Sequence, residues 1–168
     1  MLASVRFPVT MVAMKILLAS DHRGLNVQAM ILEYLRTLPE HTVVLMDEQR
    51  SEDTDYTDVA AKVAQLISAG EADRGVLICG TGIGTCVVAN KFPGVRAAPC
   101  HNEVVAELSR KHNDANVLCL SGDLLGERSS VAVVAIWLDT EFEGGRHSVR
   151  LDKIRQLEWE NTRESRGH

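Results

Sequence analysis

The amino-acid sequence predicts an α/β protein: a single three-layer α/β/α, Rossmann-like domain on a five-stranded parallel sheet. Short apolar runs alternate with amphipathic stretches from Met14 onward, at the spacing of strand–helix units. Those runs are continuously apolar, the pattern of strands covered on both faces. A chain of 168 residues suits one domain with a substantial core, and it carries no internal repeat or low-complexity linker. The domain is expected over residues 14–160, between a loose N-terminal tail at 1–13 and a short tail at 161–168.

Met14–Ala19 reads as the first strand and ends at the polar cluster Ser20-Asp21-His22-Arg23-Gly24. Leu25–Leu38 reads as a helix, with Leu25, Ala29, Leu32 and Leu35 or Arg36 stepping by threes and fours. Thr42–Met46 is the second strand. After a polar loop, Asp55 is placed to cap a helix through Ser68, with Val59, Val63, Leu66 and Ile67 turned inward. Gly75–Ile78 leads into Cys79 as the third strand, followed by a helix over Ile83–Lys91 and a short fourth strand over Gly94–Ala98. Glu103–His112 is helical, Asn116–Leu120 is the fifth strand, Leu124–Leu138 is a long apolar helix, and Arg150–Glu160 is the last helix.

Composition narrows the function classes. A net charge of -5, with Lys and Arg scattered among acids, argues against a dedicated nucleic-acid surface, which needs a clustered basic face. Met1–Ala13 has one Arg and an apolar run broken by Pro8, too weak for a signal peptide, and no stretch is long enough to span a membrane. The four cysteines, Cys79, Cys86, Cys100 and Cys119, form no CxxC pair, which fits reduced thiols better than a disulfide frame or a zinc site. A cytoplasmic location, no metal, and a small-molecule or protein partner are therefore expected.

In a parallel sheet of this kind, ligands bind beyond the carboxyl ends of the strands. Two such ends carry reactive groups: Asp21 and His22 after the first strand, and Cys79 with Gly80-Thr81-Gly82-Ile83-Gly84 after the third. Tyr56 opens the helix after the second strand and shares that edge. The glycine run is spaced GxGxG, with Thr85-Cys86 where a dinucleotide fingerprint needs its third glycine. Cys100-His101 stand where an acid would hold a ribose, and no Gly-Lys-Ser/Thr follows to make a P-loop. Two readings remain: a plain tight turn, or backbone N–H groups at a helix start, suited to an oxyanion or phosphate. Cys79 likewise reads as an inert core residue or as a thiol whose thiolate the helix start stabilises. Asp21 alone would be an ordinary helix cap.

Several pieces in order resemble one family. They are Ser20-Asp21-His22, Thr54-Asp55-Tyr56, Ile78 through Gly84, Ala89-Asn90-Lys91, Gly94 through Ala97, Ser109-Arg110 with His112 through Asn116, and Gly144-Gly145-Arg146-His147 through Arg150. Together they resemble ribose-5-phosphate isomerase type B, a family that includes galactose-6-phosphate isomerase subunits, from Met14 to about Leu157. The resemblance implies a cofactor-free aldose–ketose isomerase of the pentose phosphate type, working through an enediolate. Cys79 matches the base that moves a proton between C1 and C2, Thr81 the assisting hydroxyl, and the amides of Gly80, Gly82 and Gly84 the enediolate donors. His112 matches the residue that opens the sugar ring. Asp21, His22, Tyr56 and Asn113 match sugar-holding residues, and Arg146 and Arg150 the pair that grips the phosphate. Bland readings of the later residues are a C-terminal helix cap for His112 and a solvated helix face for Arg146 and Arg150.

Chain topology adds one expectation. Cys79 closes a strand, whereas His112 and the two arginines follow helices that have returned to the opposite sheet edge, roughly 17–20 Å away. A symmetric homodimer is therefore expected, with a tetramer as the next larger assembly. Asp21, His22, Tyr56, Cys79 and Thr81 of one chain would face His112, Asn113, Arg146 and Arg150 of the other. The sequence departs from the family pattern at Asp123, where an Arg commonly helps bind phosphate, and at Thr57 and Thr85-Cys86. Asp123 would repel a phosphate, and Arg23 is the nearest candidate to compensate its charge. These departures leave open an isomerase of another or unphosphorylated sugar, and a non-catalytic sugar-phosphate-binding module. The broken fingerprint discourages a nicotinamide dehydrogenase.

Overall fold

A computed structural model describes residues 12–46 and 55–165. Residues 1–11 of the expected N-terminal tail, Thr54 of the tyrosine motif and the final residues 166–168 lie outside the described residues. Eleven elements follow one another: β1 (Lys15–Ser20), α1 (Leu25–Arg36), β2 (Thr42–Leu45), α2 (Tyr56–Ser68), β3 (Arg74–Cys79), α3 (Ile83–Ala89), β4 (Ala97–Pro99), α4 (Glu103–Asn113), β5 (Val117–Ser121), α5 (Glu127–Asp139) and α6 (Arg146–Ser165). The five strands form one parallel sheet in the order β2-β1-β3-β5-β4.

The strands are apolar throughout because both faces are covered. Ile16, Leu18, Val76, Ile78, Leu118 and Leu120 pack against Val27, Ile31 and Leu35 of α1, Ala106 of α4 and Val133, Val134 and Trp137 of α5. Leu17, Ala19, Leu77, Val117 and Cys119 point the other way, onto Val59, Ala60, Val63, Ala64 and Ile67 of α2 and onto Cys86 and Ala89 of α3. Each fully buried aliphatic side chain contributes roughly 1.5–3 kcal/mol relative to exposure.

Four local expectations are corrected. On α1 the buried stripe is Val27, Gln28, Ile31 and Leu35 rather than one through Ala29, which is exposed. The helix rolls because Gln28 is accepted inside, so the inward face is not the most apolar reading of the sequence. On α2, Ala60 and Ala64 complete the buried face and Leu66 is only half-buried. β4 starts at Ala97; just before it, Asn116 Nδ2 donates to the Gly94 carbonyl at 2.9 Å and Arg96 N donates to Asn116 Oδ1 at 2.8 Å, beside a backbone bond from Asn116 N to the Arg96 carbonyl at 3.1 Å. α6 begins at Arg146 and continues to Ser165, past the boundary expected at Glu160. The remaining elements lie close to their expected spans, and Asp55 caps α2 by accepting from Thr57 N at 2.8 Å. No described helix is long and apolar enough to cross a membrane.

Sheet order fixes where a site can form. β1 is followed by α1 on one face and β3 by α3 on the other, so the chain parts company with itself between these neighbouring strands. A crevice at the carboxyl ends of strands at such a switch point is the general ligand site of open α/β sheets.

Candidate active site

The crevice exists. A cavity of about 500 Å³ beyond β1 and β3 is lined by Asp21, His22, Arg23, Tyr56, Cys79, Gly80, Thr81, Ile83 and Gly84. Seven of the residues singled out from the sequence thus meet in one place, while Gly82 contributes through its amide.

Cys79 is the last residue of β3 and is 4% exposed. Its Sγ accepts the Gly82 N–H at 3.2 Å and lies 3.6 Å from Thr85 Oγ1. The Thr85 hydroxyl donates to the Gly82 carbonyl at 3.2 Å, so in the thiol form its oxygen is oriented to accept the Cys79 S–H. The turn that brings the Gly82 amide round needs glycine: Gly82 has φ +76, and a Cβ there would lie 3.0 Å from the Leu120 carbonyl group. Gly84 serves differently, because the Tyr56 ring lies against it and would be 2.6 Å from a Cβ.

Burial pushes the Cys100 thiol up to about 11, and burial first, then Cys86, pushes Cys119 well above the usual thiol value. None of Cys86, Cys100 and Cys119 lines the crevice.

The hydroxyl beside the sulfur is that of Thr85, which was not among the site residues expected from the sequence. Thr81 lines the crevice but its Oγ1 accepts from Ile83 N at 3.3 Å. A signal for Thr85 was present: it follows Gly82 by three residues at the opening of α3, where a threonine hydroxyl can return to the i−3 carbonyl. Ser121 also went unnoticed. Its Oγ donates to the Gly80 carbonyl at 2.6 Å and accepts from Leu124 N at 2.9 Å, tying the β5 loop to the cysteine loop. Asp21 is buried at the end of β1, with Oδ1 accepting from Arg23 N at 2.9 Å; His22 is exposed at the mouth.

The other four expected residues stand elsewhere. Gly75 pairs with Val117 and Cys79 with Ser121 in the β3–β5 register. The start of β5, and with it the end of α4, is therefore four residues back from Cys79 along the sheet, about 13 Å. His112 lies in the last turn of α4 there and stacks on His147, ring centroids 4.3 Å apart and planes 6° from parallel. Glu143 Oε2 lies 4.0 Å from His112 Nε2 and 3.8 Å from His147 Nε2. Loss of solvent, then His112, Arg146 and Arg150, push the His147 pKa below its ordinary value. Arg146 and Arg150 are exposed on the first turns of α6, and Asn113 lines a separate groove between β4 and α6.

This trio is the one group of three potential metal ligands among the described residues. Imidazole lone pairs lie in the ring planes, so two nearly parallel rings cannot both aim at one ion. Arg146 Nε also donates toward His147 Nε2 at 3.4 Å. The arrangement fits a stacked pair sharing one carboxylate better than a cation site.

Comparison with known proteins agrees with the crevice. The family model described as Ribose/Galactose Isomerase matches residues 16–154. Ribose-5-phosphate isomerase B of Escherichia coli (strain K12) is 40% identical over 146 residues, covering 86% of this chain and 96% of its own. The D-erythrulose-4-phosphate isomerase of Pectobacterium atrosepticum is 36% identical, covering 84% and 93%. Among solved structures, ribose-5-phosphate isomerase B from Mycoplasma genitalium with bound ribulose-5-phosphate superposes with a TM-score of 0.83 at 41% identity, covering 89% of this chain and 99% of that one. On this family match across most of its length, joined to a sheet-edge crevice closed by a cysteine and a glycine loop, the chain belongs to the ribose/galactose isomerase family.

Proposed function

We propose that this isomerase interconverts ribose 5-phosphate and ribulose 5-phosphate, with Cys79 as the base. The observation that carries the reading is the Cys79 sulfur, held by the Gly82 amide at 3.2 Å on the wall of a crevice of sugar-phosphate size. The thiolate takes the proton from C2 of the open-chain aldose, leaving an enediolate across C1 and C2. The thiol returns that proton to C1 as the O2 proton leaves and O1 gains one, so no electrons are exchanged with any other molecule. Thr85 supports the sulfur in both states: its oxygen accepts the S–H, and its hydroxyl can turn to donate once the proton has gone. Thr81 and the amides of Gly80 and Gly84 face the developing enediolate, while Asp21, His22 and Tyr56 hold hydroxyls.

Ring opening and phosphate binding are assigned to a second copy of the chain. His112, Asn113, Arg146 and Arg150 lie at the amino edge of the sheet and are brought to Cys79 by a two-fold homodimer with shared sites. Exposed apolar side chains on α3, α4 and α6, among them Ile83, Val87, Val104, Leu108 and Leu157, give such a dimer surface to bury.

The test is turnover of ribose 5-phosphate. Cys79→Ala is expected to lower kcat by roughly 10³-fold, within the range for removing a positioned base, while substrate still binds. Mixing Cys79→Ala with His112→Ala homodimers under exchange restores about a quarter of wild-type activity if sites are shared, because half the dimers are mixed and each has one intact site. No recovery, with wild type active, would mean that each chain uses its own His112. A four-carbon sugar phosphate is the second reading, favoured by the Pectobacterium relative, and a panel of tetrose, pentose and hexose phosphates separates the two.

A further inference from the structure

Two successive peptide groups of the cysteine loop are tied by their carbonyls to the end of β5 and the loop after it. The Cys79 carbonyl accepts from Gly122 N at 2.8 Å. The Gly80 carbonyl accepts twice, from Ser121 Oγ at 2.6 Å and from Asp123 N at 3.1 Å. Ser121 is fully buried as the last residue of β5, and its oxygen also accepts from Leu124 N at 2.9 Å. With that lone pair engaged, the hydroxyl hydrogen is directed to the Gly80 carbonyl. Nearer solvent, Arg23 is ion-paired to Asp123 over Gly80, so the β1 and β5 loops meet across the cysteine loop with their charges matched.

These ties have a directional consequence. A trans peptide is planar, with its N–H opposite its C=O. Anchoring the Cys79 and Gly80 carbonyls toward β5 therefore turns the Gly80 and Thr81 N–H groups away from it. β5 flanks β3 on one side and β1 flanks it on the other, and the crevice opens beyond β1 and β3. Both N–H groups thus face the crevice that their residues line, and neither meets an acceptor among the described residues. The Cys79 carbonyl is held by main chain alone. The Gly80 carbonyl, which sets the Thr81 N–H, is the one that a side chain also holds.

We propose that Ser121 is a positioning residue: by anchoring the Gly80 carbonyl, its hydroxyl aims the Thr81 N–H into the crevice beside the Gly80 N–H, as a paired donor site for the enediolate oxyanion. Negative charge develops on the sugar oxygen only as Cys79 takes the proton. Donors fixed beforehand therefore act on the transition state more than on the bound sugar. The ligand class rests on the isomerase reading, so the aim of the peptide is measured apart from turnover.

Ser121→Ala leaves the Asp123 N–H on the Gly80 carbonyl but frees the Gly80–Thr81 peptide to rock. Amide NMR relaxation is expected to show new microsecond-to-millisecond exchange at Thr81 and none at Gly80. With ribose 5-phosphate, kcat is expected to fall about tenfold and KM to stay within about twofold, a smaller loss than deleting an oxyanion donor outright. Affinity for a sugar-phosphate hydroxamate, planar and anionic like the enediolate, is expected to fall by the same factor as kcat. Ribitol 5-phosphate, which has no carbonyl, should bind as it does to wild type.

Equal losses for the two ligands, or none for the hydroxamate, overturn the proposal, since a merely structural serine would not tell them apart. So does a Thr81 amide as rigid in Ser121→Ala as in wild type. Wild type inactive on every sugar phosphate, with Thr81 loosened as expected, would instead sink the isomerase reading and leave a crevice with a preset oxyanion site.

Discussion

At the carboxyl edge of the sheet, the Cys79 sulfur is placed by main chain: a strand end, a glycine with φ +76 and one amide at 3.2 Å. At the amino edge, His112 is placed by side chains. Arg110 is buried there, its Nη1 donating to Asp114 Oδ1 and to the Ala115 carbonyl, each at 2.7 Å, while its guanidinium lies 5.8 Å from the Trp137 ring centre. Arg96 adds a second ion pair to Asp114 at 2.9 Å, and Asp114 itself sits in the left-handed region at φ 45, ending α4 just after His112 and Asn113. One edge is a preformed crevice with its charges matched, and the other is a charged ridge. Under the proposed mechanism, the difference would mean that the base needs a fixed geometry within one chain, whereas the ring-opening and phosphate-binding groups could come from a second chain on a rigid helix end.

Breaking the amino edge should cost the most. Arg110→Leu leaves Asp114 and a carbonyl without their buried donor, and is expected to destabilise by about 3–5 kcal/mol, read as a lower urea midpoint. Gly82→Ala breaks the carboxyl edge. Its positive φ and the Leu120 contact predict a loss of about 1–3 kcal/mol, with turnover falling further than stability because the sulfur loses its amide. Arg150→Ala should raise KM about tenfold, roughly 1.4 kcal/mol, with kcat little changed, as expected for a group binding ground state and transition state alike. Thr85→Val sharpens the role of the sulfur's neighbour: a fall in kcat of about threefold without loss of folding, near the value of a single neutral hydrogen bond.

The smallest effect is a pH dependence confined to the amino edge. The His147 pKa is lowered in the folded state by loss of solvent and by His112, Arg146 and Arg150, with Glu143 opposing. Between its ordinary value of 6.5 and the lower folded value, the unfolded chain binds more protons, so stability falls as pH drops below about 6.5. In His147→Gln this slope of the urea midpoint against pH should flatten, while the slope in a Thr85→Val variant should match wild type.

Much of the fold was legible because burial on both faces leaves a plain mark, an unbroken apolar run such as Leu17–Ala19 or Val117–Leu120. Asp55 could be read as a cap because its partner, Thr57, is two residues away. The inward face of α1 could not, since Gln28 is buried against expectation. That Thr85 is the hydroxyl beside the cysteine could not be read either, for a similar reason. Thr81 and Thr85 both follow Cys79 closely, and only the turn at Gly82 decides which of them returns to the sulfur.

By itself the sequence determined the parallel sheet, its helices and the set of polar residues at the strand ends, because these depend on periodicity and on neighbours a few residues apart. Only the tertiary structure decided that Arg23 meets Asp123, that His112 stacks on His147 and that Cys79 alone of the four cysteines reaches the crevice. Each of those depends on which strands lie side by side and how far loops from distant parts of the chain lean together. Strand order carries no local signature that residue spacing could reveal.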